Sequence, residues 1–471
     1  MKRPNIVIFM TDQQHADTIG EQGLCRTPHL NALMNEGVRF TEAYTNCPMC
    51  TPARATALTG LHPHEHKMVQ NSHSPMALIN RLEPQMETIG TALRKEGYRT
   101  IYSGKWHVGT TPPEQNGFDR ELPLGKKPEI KNLTDPVIIQ DRFGEHVLAA
   151  TAAYSREETR VFQLSEAVNN WLEEEGDGEQ PFLLVASCLE PHVPWIVPEP
   201  YGSMYNPDEI EAWPNYEDDY QGKPLTYSKH YNDVNYCRIR KDWGKTARAL
   251  AKYFGAVSMV DDAFGSIIGK LSEKGLLEDT IIVFTSDHGE LMGRHGLIGK
   301  NELALDDISR IPLVLYSKGR FKPAVCDRFV LLSDLFNTVM ELAGAEQRES
   351  LHSQSFAAAL RGEAYDGHDS VVIQHHGATV HMNTMRAIRN KDYKYVFRPH
   401  EVDEFYDMRH DPGERDNRIG DPAMQERIWE MKMKLLAWAK HTSDFAYRGM
   451  ERSFANPDPV DLPISVYSRT S

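Results

Sequence analysis

The feature that most limits how this chain can fold is a set of short, unbroken apolar runs: NIVIFMT at 5–11, PFLLVAS at 181–187, TIIVFTSD at 280–287 and IPLVLYS at 311–317. A strand with one wet face alternates polar and apolar residues, whereas a run without alternation has to be covered on both sides. Two more segments, VRFTEAY at 38–44 and YRTIYSG at 98–104, read as strands of mixed character. The stretches between read as helices: 28–36, 87–96 stopped by Gly97, 161–175, and a long one at 245–274. Buried strands separated by amphipathic helices predict an α/β fold, a mixed and mostly parallel sheet sandwiched by helices. In such sheets ligands gather beyond the C-terminal ends of the strands.

At 471 residues the chain is too long for one small core. The pattern changes after Gly344: SVVIQHHG, TMRAIRN and YKYVFRP read as short antiparallel strands, 422–440 as an amphipathic helix, and 453–471 as an extended tail. The predicted division is a catalytic unit at 1–360 and a smaller α+β unit at 361–471. Two Pro- and Asp-rich stretches, 110–160 and 198–243, read as insertions that shape a substrate site. A net charge of −15 argues against a nucleic-acid partner. No apolar run reaches membrane-spanning length, and MKRPNIVIFMTD lacks the small-residue cleavage site of a leader. The six cysteines, at 25, 47, 50, 188, 237 and 326, are scattered rather than arranged as a disulfide framework. Together these predict a cytoplasmic protein with no membrane partner, and leave a homo-oligomer open.

Four strands end in chemically suggestive residues: Asp12-Gln13, Lys105-Trp106-His107, Glu190-Pro191-His192 and Asp287-His288. If those strands are parallel, all four ends share one rim. Asp12, Gln13, Asp287 and His288 offer mostly oxygen, which suits a hard divalent cation such as Ca²⁺, Mg²⁺ or Mn²⁺; the histidine also admits Zn²⁺. Taken singly, an Asp after a strand is more often the cap of the next helix, so the argument rests on four ends agreeing.

The most specific segment is Cys50-Thr51-Pro52-Ala53-Arg54, followed by ATALTG at 55–60. Proline suits the first turn of a helix, which places Cys50 at the helix N-terminus, where backbone N–H groups and the dipole favour an anion. Arg54, one turn on, shares that face and can fork onto an oxyanion. Two other readings stay open. Cys47 and Cys50 have the CxxC spacing of redox or zinc sites, and Cys50 could be a plain buried cysteine.

CTPAR with the downstream Thr-Gly resembles the signature of the formylglycine-dependent type I sulfatases, in the alkaline-phosphatase-like superfamily. NIVIFMTDQQ, YSGKWHVG, EPHVPW, TSDHGELMGRHGLIGK and EFYDMRHDPGERDN are similar, in the same order, to that family's further conserved segments. The resemblance implies an alkaline-phosphatase-like fold and a sulfuric ester hydrolase. It also implies that a maturation enzyme converts Cys50 to 3-oxoalanine (formylglycine). The implied metal set is Asp12, Gln13, the modified Cys50, Asp287 and His288, with Ca²⁺ as first choice and Mg²⁺ or Mn²⁺ as alternatives. One departure stands out: many members open with two adjacent acids, whereas this chain has Asp12-Gln13. Gln there resembles phosphonate monoester hydrolases and some bacterial sulfatases, so a phosphonate or phosphodiester hydrolase remains the alternative, while the Lys105-x-His107 pair favours the sulfatase.

On this reading a hydrated formylglycine presents a geminal diol, and one hydroxyl attacks sulfur. Arg54, Lys105 and Lys300 neutralise the sulfate oxygens. His192, aided by Lys300, protonates the leaving oxygen. Family resemblance makes His107 the base that restores the aldehyde, and Asn71 a substrate contact, although a helix cap serves Asn71 equally well. The expected substrate is a sulfate ester of a sugar or small organosulfate. His62, His64, His66 and His73 read as a substrate-contacting rim rather than a second metal site, and His295 as a loop residue. Trp106 and Trp195 could stack on substrate or pack in the core. Lys300 could be solvated, and His192 could be a loop cap.

Overall fold

The computed structural model describes residues 3–20, 23–74, 77–141, 144–233, 242–300, 302–349, 353–378 and 381–455. Its main sheet holds eight strands: β1 (Asn5–Thr11), β2 (Val38–Phe40), β3 (Arg99–Gly104), β4 (Arg120–Leu122), β5 (Phe182–Ser187), β6 (Thr280–Ser286), β7 (Leu313–Tyr316) and β8 (Ala324–Cys326). They lie side by side in the order β8-β2-β7-β6-β1-β5-β3-β4. Only β7 runs against its neighbours; the other pairings are parallel.

Every residue of β1, β5 and β6 is buried, as the unbroken apolar runs require. The period of two sorts them onto opposite faces. Ile6, Ile8 and Met10, with Val185 and Val283, pack against Ala53, Ala57 and Leu58 of helix α1 (Cys50–Thr59). Val7 and Phe9, with Leu184 and Phe284, pack against α2 (Arg160–Glu175) and the 31-residue α3 (Trp243–Glu273). Phe9 lies edge-on to Phe264 at 5.2 Å and stacked on Phe284 at 5.7 Å, and truncating such a ring costs about 3–5 kcal/mol.

A second sheet of four antiparallel strands, β9 (Val371–Ala378), β10 (His381–Arg389), β11 (Tyr393–Phe397) and β12 (Glu404–Asp407), follows in the C-terminal part. Val371 and Ile373 turn to Tyr44, Phe329 and Leu331 of the larger part. Val372 turns the other way, to α5 (Gln425–His441) and α6 (Tyr447–Ala455).

The structure departs from the sequence reading in two places, at 38–44 and 453–455. The run 38–44 is not one strand: it bends at Thr41 and Glu42, and Ala43–Tyr44 pairs with Val330–Leu331 in a separate two-stranded sheet. The insertion at 110–160 carries strands of its own: Thr134–Asp141 pairs antiparallel with Gly144–Ala152, which Trp195–Pro198 joins in parallel. Residues 453–455 end helix α6 instead of starting an extended tail, its Met450 and Phe454 being buried against the sheet. The rest of that expected tail, 456–471, lies outside the described residues. No helix among those described is long and apolar enough to cross a membrane.

Candidate active site

Parallel register assembles the site. Thr11 stands opposite Ser286, and both Met10 and Gly104 stand opposite Ser187. The next residues, Asp12, Asp287, Cys188 and Lys105, therefore leave the sheet at one rim. Helix α1 enters the same rim N-terminus first, with Cys50 as its first residue and Pro52 in its first turn. Gly60 stops the helix in a left-handed conformation, φ 67°.

Asp12, Cys50, Asp287 and His288 are all buried, and one ligand atom from each lies within 4.8 Å of every other. This group could hold a metal ion. Cys50 Sγ is 3.4 Å from His288 Nε2 and 3.8 Å from Asp12 Oδ1. His288 Nδ1 donates to the Gly289 carbonyl at 2.9 Å, which leaves Nε2 with a lone pair facing the group, as a metal-ligating imidazole requires. Burial brings His288 down to about 3, so it is neutral at ordinary pH. Asp12 Oδ2, fully buried, makes no hydrogen bond among the described residues and meets only the ion pairs of Lys105 and Arg54. Buried carboxylate oxygens, a thiol-bearing position and an oriented imidazole fit a divalent cation.

Gln13, the expected fifth ligand, follows Asp12 at the same rim. Its amide oxygen accepts from Lys300 Nζ at 2.7 Å, and its NH₂ group donates to Glu290. Its strained backbone, φ 65°, is held by its N–H on Asp287 Oδ1. Glu290 escaped the sequence reading; it also accepts from Gly299 N at 2.5 Å and Met292 N at 3.1 Å, shaping the loop that delivers Lys300. Its place two residues after His288 was the available signal.

Three cations surround the group. Arg54 is buried and donates to Asp287 Oδ2 (2.9 Å), the Lys105 carbonyl (3.0 Å) and Ser187 Oγ (2.5 Å), tying three strand ends to α1. Burial would raise Asp287, but His288, Arg54, Lys105 and Lys300 overcome it and hold the carboxyl well below the usual range. Burial lowers Lys105 to about 7, against the opposing pull of Asp287. Lys300 is not free in solvent: it also donates to His192 Nε2 at 2.8 Å. His192 Nδ1 faces the Val193 carbonyl at 2.6 Å and must carry the hydrogen there. Burial, then Lys300 and Lys105, push His192 well below its ordinary value. In this structure the proton of the pair thus resides on Lys300.

His107 is brought to the rim, its carbonyl accepting from Thr51 Oγ1 at 2.8 Å. Asn71 Oδ1 accepts from Thr51 N at 3.0 Å, so it caps the first turn of α1. Apart from His73, which meets His107, the other sequence candidates do not converge on the rim. His66 pairs with Thr56 Oγ1 under α1, and His62 meets Asn46 and the Trp438 ring. His64 joins Gln374 to the Thr442 carbonyl. His295 is a buried partner of Asp218 at 2.6 Å. Both tryptophans pack: Trp195 is buried on Tyr253, and Trp106 stands edge-on to Tyr102 and Phe118. Cys47 is a free buried thiol outside the four-residue group.

The sulfatase family model matches residues 4–345, and a model described as the C-terminal part of N-sulphoglucosamine sulphohydrolase matches residues 293–441. The chain belongs to the sulfatase family. It is 31% identical over 433 residues to an uncharacterized sulfatase of Escherichia coli, covering 89% of this chain and 84% of the relative. Two solved structures share the fold at 22% identity. One, in complex with its substrate D-glucosamine-2-N,6-O-disulfate, has TM-score 0.76 and covers 94% of this chain and 99% of its own. The other, a phosphonate monoester hydrolase of Silicibacter pomeroyi, has TM-score 0.77 and covers 94% and 96%. As a sulfatase, this protein is a sulfuric ester hydrolase.

Proposed function

We propose that this sulfatase cleaves sulfate esters of a sugar or small organosulfate, with a nucleophile made from Cys50 and one divalent cation, Ca²⁺ by preference. The observation that carries the reading is the buried group of Asp12, Cys50, Asp287 and His288, ringed by Arg54, Lys105 and Lys300. Burial raises the Cys50 thiol, so an unmodified cysteine stays protonated and weakly nucleophilic. Converted to 3-oxoalanine by a maturation enzyme, the same position supplies a hydrated aldehyde with two hydroxyls, and the cation supplies Lewis acidity. Asp12, Gln13, the modified Cys50, Asp287 and His288 would hold the cation, with Lys300 beside the Gln13 amide oxygen.

Arg54 and Lys105 bind and polarise the sulfate oxygens from buried positions, where charge is poorly screened. Lys300 holds the proton and His192 the lone pair of the leaving-group acid. His107 is the base of the return step. The free thiols at Cys25, Cys47, Cys188 and Cys326 support a reducing, cytoplasmic setting. A sugar substrate is favoured by the sulfated glucosamine bound in the structural relative.

Three measurements test this. The mass of the tryptic peptide holding Cys50 should show the aldehyde, and a peptide wholly in the thiol form removes the nucleophile. Kinetics on nitrophenyl sulfate beside a nitrophenyl phosphonate should favour the sulfate; the reverse preference transfers the site to phosphonate hydrolysis. Chelation should silence the matured enzyme, Ca²⁺ should restore it, and full activity in chelator would remove the cation.

A further inference from the structure

The roles above leave His73 without a task, although it touches the machinery directly. His73 Nδ1 lies 2.8 Å from His107 Nε2. The two rings stack with centroids 5.0 Å apart and an interplanar angle of 19°. The other nitrogen of His107, Nδ1, is buried and has no hydrogen-bond partner among the described residues. His107 sits in left-handed backbone, φ 52°, anchored through its carbonyl to the residue after Cys50. His73 is exposed to solvent. One histidine is thus fixed at the rim with a bare inner nitrogen, and a second links its outer nitrogen to water.

The charged groups bearing on His107 are Lys105, Arg54, His73 and Lys300, and all of them oppose a positive imidazole; with burial as the larger cause they bring it down to about 2. A base in that setting can accept a proton in passing but cannot store it. It needs an outlet.

We propose that His73 is a relay residue that carries to solvent the proton taken up by His107 when the nucleophile is restored. The proposal rests on the reading of His107 as the base of that step. The balance is simple. His107 Nδ1 gains a proton, the Nε2–H bond of His107 breaks, and that proton binds His73 Nδ1. His73, now an imidazolium, releases one proton to water. One proton enters and one leaves, and exchange with water in the emptied site resets the tautomers. His73 touches no reacting atom, so its part is to position and discharge His107.

The test uses the matured full-length enzyme, 4-nitrophenyl sulfate, and the variants His73→Ala and His73→Asn. Steady-state kcat should fall about tenfold in both, while the first-turnover burst of nitrophenolate is kept, because only the return step is slowed. Added imidazole should restore kcat in His73→Ala. Asn can accept the hydrogen bond of His107 but cannot carry a proton, so His73→Asn should stay slow. A second readout needs no turnover: ¹⁵N NMR should find His107 neutral with hydrogen on Nε2 between about pH 5 and 8, and His73→Ala should lose that preference. Wild-type kcat in His73→Asn, or burst and steady rate reduced alike without rescue, overturns the relay. If the wild type hydrolyses no sulfate ester, the reading of the site fails instead. The NMR arm then decides the relay alone, and hydrogen on His107 Nδ1 overturns it.

Discussion

Cys47 and Cys50 are both buried thiols raised by their surroundings, and only position distinguishes them. Cys50 opens α1 at the rim; Cys47 lies three residues before it, outside the ligand group. Cys50→Ala should therefore abolish hydrolysis while thermal unfolding stays near wild type, since alanine suits a helix. Cys47→Ala should keep substantial activity. The opposite pattern would mean that the signature has been assigned to the wrong cysteine. A second expectation follows from where the acid proton sits. An aryl sulfate leaves as a stable phenolate and needs little protonation, whereas a sugar sulfate leaves as an alkoxide. With Lys300 donating to His192, Lys300→Met should cost sugar-sulfate kcat/KM at least about tenfold more than nitrophenyl sulfate, within the usual span of acid catalysis. His192→Ala should show the same bias more weakly. Equal losses on the two substrates would leave both residues as sulfate binders.

Helix α1 shows how tightly the elements constrain each other. A Cβ on Gly60 would sit 2.7 Å from Phe336 Cβ of helix α4 (Asp334–Ala343), in a left-handed backbone at φ 67°. Gly60→Ala should cost about 2 kcal/mol or more through strain and overpacking together. Gly269, inside α3, meets nothing within 4 Å; there the same substitution should stabilise by about 0.5–1 kcal/mol. Denaturant titration of the two variants should give shifts of opposite sign, and a neutral Gly60→Ala would show that α1 can slide. Elements like these were legible because burial on two faces leaves no alternation, as in β1, β5 and β6. The four strand-end pairs were legible for the same reason: parallel register puts sequence neighbours of strand ends in one place. The break in 38–44 was not, because Thr41 bonds to the Cys326 carbonyl, far away in sequence. Nor were the tasks of His62 and His64, since a side chain that bridges carries the same letter as one that binds substrate.

At the scale of the molecule, the C-terminal sheet is fastened to the segments flanking α1 through buried polar links as well as apolar packing. Asp444, fully buried after α5, accepts from Arg386 Nε at 2.6 Å and Nη2 at 2.9 Å. It also takes Gln374 Nε2 at 2.8 Å, and Gln374 bonds to His64, just beyond α1. Gln374 N reaches the Asn46 carbonyl, four residues before Cys50. Removing Asp444 strands a buried guanidinium, and breaking such a pair costs about 3–5 kcal/mol. Burial opposes ionisation of Asp444, but Arg386 outweighs it and lowers the carboxyl below its ordinary value. A carboxyl depressed in the folded state stabilises above its unfolded value, and that contribution is lost as pH falls through the folded one. Asp444→Ala should therefore be most damaging near neutral pH, and its deficit relative to wild type should shrink as pH falls below about 4. Denaturation midpoints of both proteins across that range would measure it. A deficit that does not change with pH would assign the loss to packing and to the Gln374 and Ala446 hydrogen bonds, leaving Arg386 to find its charge compensation elsewhere.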